Sequence, residues 1–185
     1  MPIGSQRRAT FSSKNTMVAT ATNYGDTVVQ ITGVSVGETW IQATNSAGDV
    51  AYCKVIVTDF AHEVIRLTNV ERANNGLPPL SEGDTMVQRM ADIRLSESSR
   101  YFSHTRPDGQ RFSSVAQEIG LSYRYIGENL ARGQTSPAQV VQEWMASPTH
   151  RDNILNSNYA YICVSYGFGS DGYPYWVQIF HYPAY

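Results

Sequence analysis

The sequence predicts an α+β protein in which an all-β stretch precedes a helix-rich segment that ends in antiparallel strands. Three observations carry this. Apolar residues alternate with a period of two up to Val57, the spacing lengthens to three or four at Thr58-Asp59, and the closing segment returns to strand-like runs. Two domains follow, residues 1–57 and residues 58–185, with almost no linker between them.

In the first stretch, Thr27 to Thr32 and Thr39 to Thr44 are short β-branched runs separated by Gly33 and Gly37, where turns can form. Val50 to Val57 continues the pattern after the turn Asn45-Ser46-Ala47-Gly48-Asp49. It places Ala51, Cys53, Val55 and Val57 on one face and Tyr52, Lys54 and Ile56 on the other. Short strands at such regular spacing suggest a β-sandwich.

Thr58 or Asp59 is suited to cap a first helix carrying Ala61, Val64, Ile65, Leu67 and Val70, which stops near Asn75-Gly76. Ser81-Glu82-Gly83-Asp84 reads as a capping box before a second helix with Val87, Met90, Ala91 and Leu95. Phe112, Val115, Ala116 and Ile119 mark a short third helix closed by Gly120. A fourth begins at Ser136-Pro137 and buries Val140, Val141, Trp144 and Met145. Strands near Tyr161 to Gly167 and Tyr175 to His181 follow, joined by a turn at Ser170-Asp171-Gly172.

Composition excludes several classes. A hydrophobic fraction of 42% with 16% charged residues belongs to a folded globular chain rather than a disordered polyelectrolyte. A net charge of −2 lacks the cationic excess that nucleic-acid binding requires. No run approaches the ~20 apolar residues that span a bilayer, so no transmembrane segment is expected. The opening residues MPIGSQRRATFSSKN contain no apolar core of an export signal. Cys53 and Cys163 fall in separate domains within apolar runs, and each reads as a buried free thiol in preference to a disulfide between the domains.

Four segments of the second domain carry a family resemblance. They are Phe102-Ser103-His104-Thr105-Arg106-Pro107-Asp108-Gly109, Ile126-Gly127-Glu128-Asn129-Leu130-Ala131, the stretch from Trp144 through His150 to Leu155, and Tyr175-Trp176-Val177-Gln178-Ile179-Phe180. Together with the first helix and its loop, Leu67 to Leu80, they resemble the bacterial branch of the CAP superfamily. That superfamily comprises cysteine-rich secretory, antigen 5 and pathogenesis-related proteins and is also called SCP-like. The resemblance implies an α-β-α sandwich with a cleft on one side. In the first domain, Phe11 to Asn15, Ile31 to Gly37 and Cys53-Lys54-Val55 resemble the later strands of a bacterial group 2 immunoglobulin-like domain, over roughly residues 8 to 57, so that module reads as partial.

Matched motif to motif, the resemblance puts His104, Glu128 and His150 around the cleft, with Asn129 and Gln178 close by as residues able to orient a ligand or to hydrogen-bond backbone or the site histidines. Two imidazoles and a carboxylate are a competent ligand set for zinc or another divalent metal, with a fourth position open. They are equally able to form a metal-free polar floor in which His and Glu satisfy each other. Family members often carry a second glutamate three residues after the helix tryptophan; Ser147 stands there, and Glu143, one turn away, does not inherit the role. His62-Glu63 starts like a zinc-protease helix, but Arg66 occupies the position of the second histidine. Ser103 has no oxyanion motif around it.

The expected function is therefore an extracellular or cell-surface ligand-binding module, secreted with an export signal that this chain does not show. Its ligand would be a peptide, a cell-wall component or a lipid. No catalytic residue is assigned, because no activated nucleophile can be assembled. The alternatives are a metal-dependent peptidase, in which His104 and His150 hold zinc and Glu128 serves as ligand or general base, and a lipid or sterol binder.

Overall fold

Residues 8–25 and 27–184 are described by a computed structural model of the chain, and they divide after Asp59 into two compact units.

The first unit is all β. Strands β1 (Ala9–Ser13), β4 (Gly37–Asn45) and β5 (Val50–Val57) form an antiparallel sheet in the order β1-β4-β5. β2 (Ala19–Tyr24) and β3 (Val28–Gly33) form a second, two-stranded antiparallel sheet. The pleat sends alternate residues of β4 in opposite directions, so Thr39 and Ile41 are buried while Glu38 and Trp40 face solvent. Cys53 departs from its sequence reading: it is free but exposed. β5 is the sheet edge and the facing sheet has two strands, so an apolar depression of about 280 Å³, lined by Phe11, Val29, Ile31, Ile41, Ala43 and Cys53 among others, stays open to water.

The second unit mixes helices and strands in three layers. The central sheet has the order β6-β8-β9-β7, built from β6 (Ser81–Glu82), β7 (Tyr125–Arg132), β8 (Tyr161–Phe168) and β9 (Pro174–Tyr182). Its pairs are antiparallel except β6 with β8, which is parallel. On one face, Trp176 and Phe180 of β9 pack with Val64 and Ile65 of α1 (Phe60–Asn74), Val140, Val141 and Trp144 of α4 (Pro137–Ala146), and Ile154 of α5 (Pro148–Ile154). On the other face, Val177 and Ile179 pack with Val87, Met90 and Ala91 of α2 (Thr85–Ser98) and with Val115 and Ala116 of α3 (Ser114–Ile119). Period-two alternation along one strand thus feeds both helical layers. Each fully buried large apolar side chain contributes about 1.5–3 kcal/mol.

Helix ends follow local chemistry. Ser136 accepts from the Gln139 amide with Pro137 at the first helical position, and Gly120 closes α3 with φ 74°. The second helix differs from the capping-box reading. Asp84 is the cap, accepting from the Met86 and Val87 amides, whereas Ser81 and Glu82 pair with Tyr161 and Ile162 as a short strand. Two elements next to the site, β7 and α5, were not anticipated. β7 lies in the sequence YIGENLAR, buried from Gly127 to Ala131, so both of its faces meet protein and no polar-apolar alternation marks it.

Candidate functional site

β7 is the edge strand of its sheet, and an unpaired edge must be satisfied somewhere. Side chains from the helical layer do this. Asn153 of α5 donates through Nδ2 to the Glu128 carbonyl at 3.1 Å, and Trp144 of α4 donates through Nε1 to the Leu130 carbonyl at 3.1 Å. Gly127 leaves room for this seam, since a β-carbon there would lie 2.4 Å from the Tyr159 hydroxyl and 3.1 Å from Asn153 Oδ1.

Successive residues of β7 point to opposite layers. Glu128 faces the α2 side, where both of its carboxylate oxygens accept hydrogen bonds. Arg94 of α2 donates to it through Nε at 2.6 Å and through Nη2 at 3.2 Å, and His104 Nδ1 donates to Oε1 at 2.8 Å. A carboxylate only accepts, so His104 Nδ1 carries the proton of this hydrogen bond. The Glu128 side chain is 0% exposed and the His104 side chain 55%, so the imidazole is the solvent-facing end of the pair.

Arg94 also donates to Glu97 and, at 2.7 Å, to the Ser103 carbonyl, which fixes the segment that bears His104. Glu97 accepts in turn from Arg106, which reaches Glu118 at 2.8 Å and Ser114 Oγ at 2.9 Å. Burial opposes the Arg94 charge, but hydrogen bonds and attraction from Glu128 and Glu97 raise its pKa. Burial likewise works against the Glu97 carboxylate, and Arg106 and Arg94 outweigh it, so its pKa is lowered.

Asn129 faces the other layer. Its Nδ2 donates to the His150 carbonyl at 3.1 Å and to Gln178 Oε1 at 3.0 Å, its Oδ1 accepts from Asn153 at 2.9 Å, and Gln178 Nε2 donates to Thr68 Oγ1 at 2.8 Å. Both side chains are wholly buried, so Asn129 and Gln178 position the His150 segment rather than face a ligand. His150 itself lines a cleft of about 280 Å³ together with Phe102, Arg132, Gln134, Glu143 and Ser147, floored by Leu130, Ala131 and Trp144. Its pKa is lowered, first by burial and then by the charge of His104.

A metal centre made from His104, His150 and Glu128 does not fit this arrangement. Among the described residues, no group of three or more His, Cys, Asp or Glu side chains is placed to hold a metal ion. Both Glu128 oxygens accept instead from Arg94 and His104 in a buried cluster. Two imidazoles alone fall short of the three protein ligands usual in catalytic zinc sites.

Sequence reasoning passed over Arg94 and Glu97, although a signal existed. Val87, Met90, Ala91, Arg94, Glu97 and Ser98 form the buried stripe of α2, so two charged residues stand where helical periodicity calls for apolar ones. Glu143, set aside on its sequence position, lines the same cleft as His150 and accepts from Gln134 and Gln139.

A three-layer fold with this edge-strand cleft defines a CAP-type domain, and the family model of the cysteine-rich secretory proteins matches residues 65–180. The chain belongs to that family. It is 38% identical over 111 residues to the uncharacterized protein YkwD of Bacillus subtilis, an alignment covering 60% of this chain and 43% of that one. To the uncharacterized membrane protein YlbC of the same organism it is 30% identical over 116 residues, covering 60% and 32%. The chain therefore spans less than half the length of these curated relatives. Among solved structures, an extracellular SCP-domain protein of Bacillus anthracis superposes with TM-score 0.58 at 17% identity, covering 89% of this chain and 67% of that one. An outer surface protein of Borrelia burgdorferi gives TM-score 0.59 at 22% identity, covering 69% and 97%. At these identities the two structures show a shared fold.

Proposed function

We propose that this protein is an extracellular or cell-surface binding module whose CAP domain, residues 58–185, takes a short polar ligand, most simply a peptide segment, into the cleft beside His104 and His150. Residues 1–57 serve in this reading as a partial immunoglobulin-like spacer. One observation carries the choice of binding over hydrolysis: both oxygens of the buried Glu128 carboxylate are held by Arg94 and His104, so it is not free to accept a proton from an attacking water. The cleft rim of Arg132, Gln134, Glu143, Ser147 and His150 offers donors and acceptors suited to a peptide backbone. Its volume of about 280 Å³ is less suited to a lipid or sterol. The surface assignment draws on structural neighbours described as extracellular and outer-surface proteins. No helix among the described residues is long and apolar enough to cross a membrane.

The test is amide NMR of the full chain titrated with tetra-alanine as a bare backbone probe. Saturable shifts confined to Phe102, Gln134, Ser147 and His150, with the peptide recovered intact, are the expected result. Cleavage of the peptide that disappears in His104→Ala would overturn the binding reading in favour of hydrolysis, and shifts absent from the cleft would remove the site.

A further inference from the structure

The chain has only two lysines, Lys14 and Lys54, and both flank one tryptophan. On the outward face of the β1-β4-β5 sheet, Lys54 is the cross-strand partner of Trp40, and the Lys14 amide donates to the Trp40 carbonyl at 2.9 Å from the other side. Tyr52 is the partner of Gln42, which makes it the diagonal neighbour of Trp40. Trp40 is 48% exposed and Tyr52 54% exposed. With Lys14 they bound an open depression of about 370 Å³.

Single exposed aromatics need no explanation, but two adjoining rings with a cation beside them form a surface with specific chemistry. The flat faces carry the negative side of the ring quadrupole, which the C–H bonds of a sugar ring can stack upon. The two lysines are not equivalent. Lys54 pairs with Glu38 at 2.8 Å, whereas Lys14 has no carboxylate partner among the described residues and holds its ammonium 5.7 Å from the Tyr52 ring centre. One uncompensated positive charge thus lies beside the stacking surface, where an anion attached directly to a stacked ring would meet it. A uronic acid has this geometry, since its carboxylate is bonded to the pyranose ring itself, whereas a phosphodiester-linked polymer carries its charges between sugars.

We propose that this face is a binding platform for an acidic polysaccharide, with a uronic acid ring stacked on Trp40 and Tyr52 and its carboxylate held by Lys14. The platform belongs to the first unit and is independent of the His104–His150 cleft. Binding here would tether the chain to a carboxylated glycan while the cleft engages its own ligand.

The tryptophans make the test direct, because Trp144 and Trp176 are 1% and 0% exposed and Trp40 is the solvent-facing one. The full chain is titrated with trigalacturonate, with its fully methyl-esterified form and with a glycerol-phosphate polymer, following Trp emission and, for variants lacking Trp40, calorimetry. Expected are a saturable blue shift with trigalacturonate, at least roughly tenfold weaker binding of the ester, and the same loss in Lys14→Gln. Trp40→Ala and Tyr52→Ala lose heat of binding while keeping the wild-type melting temperature, and His150→Ala binds normally. No response to trigalacturonate, equal affinity for the ester, unchanged binding in Lys14→Gln, or response to the phosphate polymer alone would overturn the proposal. Loss in His150→Ala would place the saccharide in the cleft instead and also overturn it.

Discussion

Arg94→Met tests whether the buried charge network holds the candidate site in place. The Arg94 side chain is 0% exposed and is the main partner of a Glu128 carboxylate that is itself 0% exposed. Methionine fills similar space, so the change removes charge and hydrogen bonds rather than opening a large cavity. Glu97 keeps Arg106, but Glu128 is left with His104 alone. Removing one partner of a buried pair costs about 3–5 kcal/mol. At about 4 °C per kcal/mol for a unit of this size, the second unit's melting temperature should fall by ~12–20 °C. Calorimetry of the full chain reads this directly. The double change Arg94→Met with Glu128→Leu should recover a large part of the loss, because an apolar pair replaces the stranded carboxylate. A fall below about 4 °C for the single variant would refute the reasoning, as would a double variant no more stable than the single one.

Three further outcomes are expected. His150 should titrate below the ordinary imidazole value of about 6.5, and His104→Ala should move its midpoint upward by removing a neighbouring charge while burial remains; an unmoved midpoint in proton NMR would mean that the imidazoles are not neighbours. Because the unfolded chain then binds the His150 proton more tightly, stability should decline as pH drops from about 6.5 toward the lower folded value and level off beneath it. Glu97, whose folded pKa is lowered, contributes stability above the unfolded carboxylate range that is lost as pH falls through its folded value, so a second decline in melting temperature should follow in acid and be shallower in Glu97→Gln. A thiol reagent at mild alkaline pH should label exposed Cys53 at once and Cys163, buried and with its thiol pushed up to about 11, only on unfolding; rapid labelling of both would contradict the packing around Cys163.

Much of the helical layer was legible because local rules sufficed. Ser136-Pro137 starts α4 and Gly120 ends α3 through capping chemistry that involves only near neighbours, and the apolar spacing of Val64 with Ile65 or Val140 with Val141 identifies the buried faces directly. Where a local rule had two readings, it failed. Ser81-Glu82-Gly83-Asp84 satisfies a capping box on paper, but the Tyr161–Ile162 strand claims Ser81 and Glu82, leaving Asp84 to cap alone. β7 escaped because periodicity reports a contrast between water and core, and a strand enclosed on both faces has no such contrast.

By itself the sequence determined the α+β class, the change from strand to helix at Thr58-Asp59, and the motif residues His104, Glu128 and His150 as ones to watch. The tertiary structure alone decided what those residues do. Glu128 and Asn129 are neighbours in sequence, yet the pleat sends them into opposite layers, one to Arg94 and His104, the other to Gln178 and the His150 carbonyl. Whether a carboxylate is free for a metal, a water or a ligand depends on which cation reaches it first. That cation, Arg94, comes from a helix distant in sequence, and only packing brings it to Glu128.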